Sequence, residues 1–222
     1  MYKILIAIPC MDQVPAPFAQ SLAMIRKGEN SCAVAFQMGS LIYTSRNNLA
    51  KKAIEDDYDF VFWLDSDMVF RQDVLLAMLK TLEENNLDFL TGLYFRRVAP
   101  FSPVLFSKLE IFDNGNGCDW EEPDDIPTEL SEVAGCGFGC VLMKTDVIFD
   151  VATRYGANMF NPFSGLGEDL AFCWRARDCG YKIYCDPTIE CGHVGYSVVT
   201  RNFYKSYRSA HEEEELNDVQ SN

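Results

Sequence analysis

Two aspartates directly follow the most apolar short segment of the chain. Residues 60–64 are five apolar, β-favouring residues, and they run straight into Asp65-Ser66-Asp67. Such a run predicts a strand buried on both faces of an α/β sheet, and open α/β sheets bind ligands at the carboxyl ends of their strands. Carboxylates one residue apart on an extended chain point to the same side. We therefore predict that the pair shares one hard cation, which would in turn hold a phosphate group.

The Asp-x-Asp spacing carries this prediction only because of its place in the chain. An acidic sequence contains the spacing by chance, and a second copy, Asp57-Tyr58-Asp59, precedes the same apolar segment. We interpret that copy as a polar turn before the strand. The position of Asp65 and Asp67 after the strand is what indicates a ligand site.

The segments that must position these carboxylates alternate between strand and helix patterns. A first strand is predicted over 3–8, ended by Pro9, and a weaker strand over 31–38. The other predicted elements are helices at 18–27, 49–54, after Asp73, 146–154 and 168–178, and strands at 88–94, 108–112 and 181–185. The alternation predicts a three-layer α/β/α sandwich with a mixed, mostly parallel sheet.

The length of 222 residues predicts one principal domain, over residues 1–205. Within it we expect two halves, over residues 1–95 and 96–205. The second half includes an acidic, Gly- and Pro-containing loop at 113–132, of a length typical of functional lids. Residues 206–222 are predicted to be an acidic, disordered tail.

The net charge of −14 is concentrated in two short segments. Residues 118–132 contain seven acidic residues and residues 211–222 contain five, without any Lys or Arg, so the remainder of the chain is close to neutral. Solubility is the ordinary explanation of such acidic runs. The absence of a basic stripe argues against a mainly electrostatic nucleic-acid binder, and makes a nucleic-acid acceptor a less favoured partner.

Cysteine usage and hydropathy favour a cytoplasmic protein. No apolar run approaches the 18 residues of a membrane span, and the first nine residues are too short in apolar length for a signal peptide. Nine cysteines without such a signal indicate free thiols in a reducing compartment. Four of them recur every six residues shortly before His193: Cys173, Cys179, Cys185 and Cys191. This spacing suggests a zinc site, but the chain has no C-x-x-C pair, so we favour the interpretation that they are buried thiols.

Five features in a fixed order make the pattern specific. The first is the strand that ends in Asp65-Ser66-Asp67, and the second is the glycine-rich apolar segment at 135–142. The third is a helix that begins with two acidic residues, at Gly167-Glu168-Asp169. The fourth is the Gly-Tyr-Lys-Ile segment at Gly180–Ile183, and the fifth is the late pair Gly192-His193. In this order, over residues 1–200, the chain resembles the A-type glycosyltransferase fold and the large family-2-like group of nucleotide-sugar transferases. The resemblance implies a Mn²⁺- or Mg²⁺-dependent enzyme that moves a sugar from a nucleotide diphosphate, with a UDP-sugar favoured.

The resemblance also implies the metal ligands of the donor site. Asp67 would be the direct metal ligand, and Asp65 would contact the ribose or a metal-bound water. Ser66 lies between them, and His193 would complete the metal shell. A neutral imidazole suits Mn²⁺ as well as carboxylate oxygens do, although a histidine at such a position can also be an ordinary core residue.

The remaining roles are implied in the same way, with residues 1–95 as the nucleotide-binding half and residues 96–205 as the acceptor half. The loop after Pro9 resembles the cradle of the nucleotide base, and Arg46 matches an arginine that often contacts the nucleotide. In inverting relatives the aspartate of the acidic pair is the base and the glutamate helps to hold the acceptor, which assigns these roles to Asp169 and Glu168. Acids also suit a helix N-terminus for electrostatic reasons alone.

Further expectations concern aromatic and charged residues near these sites. Tyr94 and Arg96 follow a strand end and are predicted to face the donor, while Phe138 and Trp174 are predicted to be core residues. Residues 113–132 would be a mobile lid on the acceptor side.

Several alternatives stay open from the sequence. A retaining transferase on the same fold and a non-catalytic nucleotide-binding protein are the main ones. A nucleotidyltransferase would need a glycine-rich, basic loop after the first strand, which residues 9–17 do not supply. The acceptor could be a glycan, a protein, a lipid-linked glycan or another hydroxyl compound, and the oligomeric state is open.

Overall fold

The computed structural model describes residues 1–39, 41–195 and 198–220, with side chains as far as residue 211. The helices in this part of the chain are α1 (Ala16–Ala23), α2 (Ile42–Glu55), α3 (Val74–Asn85), α4 (Thr145–Tyr155), α5 (Glu168–Asp178) and α6 (Arg201–Gln220). The strands are β1 (Lys3–Cys10), β2 (Ser31–Met38), β3 (Phe60–Leu64), β4 (Met68–Val69), β5 (Phe89–Leu93), β6 (Leu105–Phe106), β7 (Lys108–Ile111), β8 (Cys118–Glu121), β9 (Ser131–Val133), β10 (Gly135–Cys136), β11 (Cys140–Lys144), β12 (Ile183–Glu190), β13 (Gly192–Val194) and β14 (Val198–Val199).

A mixed sheet of seven strands forms the centre of the described structure, in the order β2-β1-β3-β11-β5-β12-β9. β1 pairs in parallel with β2 and β3, and β5 pairs in parallel with β12. β11 is antiparallel to both of its neighbours, and β9 is antiparallel to β12. Every residue of β3 is buried, as its uninterrupted apolar sequence predicts. The predicted strand at 60–64 is confirmed.

Helices cover both faces of this sheet. α2, α4 and α5 contribute Leu49, Val147 and Phe172 to one buried core, and α1 and α3 contribute Phe18 and Leu75 to a second. Each helix buries one apolar stripe against the sheet, which is the arrangement that stabilises a layered α/β domain. The predicted three-layer α/β/α fold class is confirmed.

The strand register brings the carboxyl ends of β1 and β3 together. Ala7 of β1 pairs with Trp63 of β3, so the residues after Leu64 lie beside Pro9 and Cys10. Two parallel strands that end at one level create the crevice in which open α/β sheets bind ligands. α5 begins with Glu168, and its predicted span of 168–178 is confirmed.

Helix α2 begins at Ile42, seven residues earlier than the apolar pattern predicts. Its first half contains buried polar side chains, which hide the helical periodicity: Ser45, Arg46 and Asn47. The Asn47 amide donates to Asn161, and its oxygen accepts the backbone N–H of Phe160. Arg46 therefore lies inside the helix rather than at its exposed start.

Residues 107–132 contain more regular structure than the sequence predicts. β7, close to the predicted strand at 108–112, pairs with β8 as an antiparallel hairpin. Lys108 lies 2.7 Å from an Asp119 oxygen and 3.4 Å from a Glu121 oxygen, so cross-strand charge pairs support the hairpin.

The C-terminal segment is helical where the sequence predicts disorder from residue 206. Phe203 of α6 packs edge-on against Phe101, and Tyr204 stacks on Phe95 at 5.2 Å between ring centroids. The acidic run that follows is rich in glutamate, which has a good helix propensity. Residues 221–222 lie outside the described part. None of the helices that the structure describes combines the length and the hydropathy needed to cross a bilayer.

All nine cysteines are free thiols in the structure. Three of the four that recur before His193 are buried, and the described residues contain no group of three or more His, Cys, Asp or Glu side chains placed to hold a metal ion. The burial of three of these thiols is what the buried-thiol interpretation predicts.

Candidate active site

One cavity of about 330 Å³ is lined by all eight residues to which the sequence gives a catalytic, nucleotide-binding or metal-binding role. It lies at the carboxyl ends of β1 and β3 and is lined by Pro9, Arg46, Asp65, Ser66, Asp67, Glu168, Asp169 and His193. A larger cavity of about 780 Å³ lies between residues 124–131 and α6 and contains none of them. We place the candidate site in the smaller cavity because its carboxylates, arginine and imidazole converge there.

A tight turn after β3 separates the two aspartates. The Asp65 N–H donates to Gly139, and the Met68 N–H donates back to the Asp65 carbonyl at 3.2 Å. β4 then pairs with β13, with Met68 opposite His193, and the Val194 N–H donates to the Asp67 carbonyl at 2.8 Å. This pairing brings the late histidine to Asp67, although 126 positions separate them in the sequence.

Asp67 and His193 form the part of the site that could hold a cation. His193 Nε2 lies 3.3 Å from Asp67 Oδ2, and its Nδ1 lies 2.9 Å from the Phe95 carbonyl. Because a carbonyl only accepts, Nδ1 must carry a proton, and a neutral ring then turns its Nε2 lone pair towards the carboxylate. Two acceptors this close require a proton or a cation between them. A metal-ligating histidine commonly has such a carbonyl partner on its other nitrogen.

The titration of both groups reflects this contact. Burial acts to raise the pKa of Asp67, but His193 and Arg97 outweigh it and hold that pKa below its ordinary value. Burial acts to lower the pKa of His193, but the Asp67 carboxylate outweighs it and raises that pKa. The donor set of one carboxylate and one imidazole fits a divalent cation such as Mn²⁺.

Asp65 is turned away from this pair, towards a buried arginine. Arg46 is only 1% exposed, and its Nη2 lies 3.0 Å from Asp65 Oδ1 while its Nε lies 3.0 Å from Asp169 Oδ1. Its guanidinium also lies over the rings of Trp63 and Phe138. Arg46 lines the cavity, and the contacts it makes are with these two carboxylates, while its contact with a nucleotide stays a prediction. Asp65 and Asp67, which were predicted to share one cation, face different partners: Asp65 faces Arg46, and Asp67 faces His193 and Arg97.

Asp169 has the properties of a general base. Its Oδ2 accepts the Phe138 N–H at 3.2 Å, whereas its Oδ1, although close to Arg46, accepts no well-aligned hydrogen bond. Burial raises the pKa of Asp169, Arg46 opposes the rise, and the nearby Glu168 and Asp65 add to it, so that the net pKa is about 7. A carboxylate with a pKa near neutrality is suited to taking a proton from a hydroxyl.

A second, smaller cavity adjoins the site at the start of α5. It measures about 190 Å³ and shares Glu168 and Asp169 with the first cavity. Its other walls are mainly apolar, with Val104, Phe106 and Leu170 among them. The two acids therefore stand at the boundary between two spaces, one charged and one mainly apolar.

The glycine-rich segment serves close packing beside the site. A Cβ added at Gly137 would overlap the Tyr94 hydroxyl, and one at Gly139 would lie 2.7 Å from the same ring. The Gly139 N–H donates to the Tyr94 oxygen at 3.1 Å, and the Tyr94 ring packs edge-on against His193. Tyr94 is thus a buried support for the histidine, not the donor-facing residue that the sequence predicts.

The predictions for Arg96, Phe138 and Trp174 have different outcomes. Arg96 faces the acidic loop, where it forms a 2.7 Å ion pair with Glu122. Phe138 is fully buried among aromatic rings, as predicted. Trp174 is half-buried and packs edge-on against Tyr155 and Phe163.

Sequence reasoning missed three residues of the main cavity. Arg97 reaches the Asp67 carboxylate with its Nη1 at 2.5 Å from Oδ2. The other two, Ile42 and Ser45, belong to α2 and line the cavity together with Cys10 and Met11 of the predicted loop after Pro9. The available signal for Arg97 was positional, because it follows β5 by four residues.

Comparisons with known proteins support the fold. The crystal structure of A197 from STIV aligns over 91% of each chain with a TM-score of 0.64 and 19% identity. GalNAc-T7, in a crystal structure with UDP, GalNAc and Mn²⁺, aligns over 88% of this chain with a TM-score of 0.59 and 10% identity, although this covers 44% of that chain. No protein-family profile and no curated protein sequence matches the chain. The likeness establishes a glycosyltransferase-like α/β fold.

Proposed function

We propose that this protein is a metal-dependent glycosyltransferase that moves a sugar from a nucleotide diphosphate donor to an acceptor hydroxyl. The observation that carries the proposal is the convergence of Asp67, His193 and Asp169 in one cavity at the carboxyl edge of the sheet. The resemblance in motif order and the UDP and Mn²⁺ present with GalNAc-T7 favour a UDP-sugar as donor.

Asp67 and His193 are the residues that would hold the divalent cation. When bound, the cation supplies a Lewis acid for the negative charge that grows on the departing diphosphate. Asp65, held by Arg46, would contact the donor ribose rather than complete the ligand shell. The space beside Pro9, Met11 and Ile42 is suited to the flat apolar faces of a nucleotide base.

Asp169 is the proposed base of an inverting transfer. The acceptor oxygen forms the new bond to the anomeric carbon while its proton passes to the Asp169 carboxylate. The bond between that carbon and the diphosphate oxygen breaks, and its electron pair leaves with the diphosphate. Glu168 would hold the acceptor in the adjoining cavity of about 190 Å³. The anomeric configuration of the product, measured by NMR, distinguishes this from a retaining transfer.

The acceptor side is proposed in outline. A glycan, a protein, a lipid-linked glycan or another hydroxyl compound would reach Glu168 from the side of residues 113–132. The Arg96–Glu122 ion pair joins that loop to the segment after β5, which is the contact that a lid would need to change. The lid itself stays a prediction.

A donor-hydrolysis assay tests the function without knowledge of the acceptor. UDP-, GDP-, CDP- and ADP-sugars are incubated with the protein and Mn²⁺, and the release of nucleoside diphosphate is followed. We expect release from one nucleotide class, abolished by EDTA and restored by added Mn²⁺. Release that is unaffected by EDTA would contradict metal-dependent transfer.

The pH dependence should follow the ionisation of Asp169. Since its pKa is raised to about 7, the carboxylate is protonated below that pH and is a competent base only above it. We expect the rate of transfer under saturating donor to rise about tenfold per pH unit below pH 7 and to level off above it. A rate that is constant or falls as the pH rises through 7 would contradict the assignment.

A further inference from the structure

Arg97 contacts the Asp67 oxygen that a bound cation would need as a ligand. Its Nη1 contacts Asp67 Oδ2 at 2.5 Å, and this is the same oxygen that faces His193 Nε2 at 3.3 Å. A divalent cation held by Asp67 and His193 would compete with the guanidinium for that oxygen and would repel it. The Arg97 side chain is 54% exposed, whereas those of Asp67 and His193 are 22% and 16% exposed.

The backbone around Arg97 is held in place on both sides. The Phe95 carbonyl is engaged by His193, and the Arg96 N–H donates to the Ser102 carbonyl at 2.9 Å. The Arg96 side chain is anchored by Glu122. The long Arg97 side chain is half-exposed and is held by its ion pair with Asp67, so it can change partners without any rearrangement of the backbone.

We propose that Arg97 is a gate of the donor site that exchanges partners between Asp67 and the donor diphosphate. Without a divalent cation, Arg97 neutralises Asp67. Once Asp67 binds the cation, Arg97 is released into the cavity, where its planar guanidinium matches two phosphate oxygens at once. This inference rests on the proposed function and adds to it a residue that couples the binding of metal and nucleotide.

The exchange predicts opposite effects of one substitution on two affinities. In Arg97→Gln, no guanidinium competes with Mn²⁺ for the Asp67 carboxylate. Mn²⁺ alone should therefore bind about three- to fivefold more tightly, which is the size of effect expected for one half-exposed ion pair. In saturating Mn²⁺, the nucleoside diphosphate should bind about tenfold more weakly, because a charged hydrogen-bond donor is lost. Calorimetric titration of the full chain with MnCl₂, then with UDP, GDP, CDP and ADP, measures both.

Two further variants separate a gate from a general change in charge. Arg97→Lys keeps the charge but loses the planar fork, so Mn²⁺ alone should bind as in the wild type while the nucleotide binds more weakly. Arg96→Gln removes the neighbouring arginine, whose partner is Glu122, and should change neither affinity.

The possible failures are distinguishable. If the wild type binds Mn²⁺ and a nucleotide but Arg97→Gln does not tighten Mn²⁺ binding, or does not weaken nucleotide binding, the gate is wrong and the proposed function stands. If Arg96→Gln shifts both affinities as much as Arg97→Gln, the effect is one of overall charge and the gate is equally wrong. If the wild type binds neither Mn²⁺ nor any of the four nucleotides, both proposals fail together.

Discussion

Asp169→Asn should abolish sugar transfer while the protein still binds its donor. The amide has the shape of the carboxylate and can still accept the Phe138 N–H, but it cannot take a proton from the acceptor hydroxyl. Loss of a positioned general base typically lowers a rate about 10²- to 10⁴-fold, and we expect a loss in that range. The measurement is the rate of transfer under saturating donor, beside calorimetric nucleotide binding on the same sample.

A matched substitution controls for the loss of an acid near a helix start. Asp146 lies in the first turn of α4, is exposed and does not line the cavity, so Asp146→Asn should transfer at the wild-type rate. Thermal unfolding of both variants checks that Arg46, which keeps its ion pair with Asp65 in Asp169→Asn, is still held in place. Full transfer by Asp169→Asn would rule out Asp169 as the base.

Asp67→Ala should remove the metal dependence of nucleotide binding. The substitution deletes the only carboxylate that faces His193 within the described site, so one of the two protein ligands for the cation is lost. We expect the affinity for the nucleoside diphosphate in Mn²⁺ to fall about 100-fold, which corresponds to about 2.8 kcal/mol, towards the value without metal. Calorimetry with and without Mn²⁺ measures this difference directly.

The second Asp-x-Asp of the chain provides the control for Asp67→Ala. Asp59 belongs to that copy, is exposed and lies at the opposite end of β3, where it accepts the Lys3 N–H. Asp59→Ala should keep metal-dependent binding, with at most a loss of stability. Equal losses of binding in both variants would show that the effect is structural and not specific to the proposed ligand.

The sequence predicts those elements whose burial is complete and regular. β3 is found where it was predicted because all five of its side chains are apolar and buried, and α5 because its acidic start and terminal glycine bound it on both sides. The order of the motifs also predicts that Asp67, Asp169 and His193 share one cavity, since strand ends and helix starts of this fold meet at one edge.

The partners of the charged side chains could not be predicted in the same way. Arg46 has no apolar periodicity to mark it as buried, and its position between Asp65 and Asp169 results from contacts across 19 and 123 residues of sequence. Arg96 and Arg97 are neighbours of one type, yet one faces Glu122 and the other Asp67. Tertiary contacts determine the direction of a side chain outside regular strands and helices, and the local pattern of apolar and polar residues does not reveal these contacts.

The C-terminal helix shows a different limit of sequence reasoning. The acidic composition after residue 206 is that of a disordered tail, but it does not show that aromatic residues just before it pack on Phe95 and Phe101. These contacts anchor the start of α6 beside the segment that carries Arg97. A helix that begins from an anchored turn avoids the cost of nucleation, which composition alone does not reveal.

The most direct test of a metal-dependent nucleotide-sugar site is the titration of the wild-type protein with UDP, GDP, CDP and ADP, with and without Mn²⁺. The account predicts that one nucleotide binds, that it binds only or mainly in Mn²⁺, and that Asp67→Ala removes the difference. Binding that is the same with and without Mn²⁺, or no binding of any of the four, would contradict it.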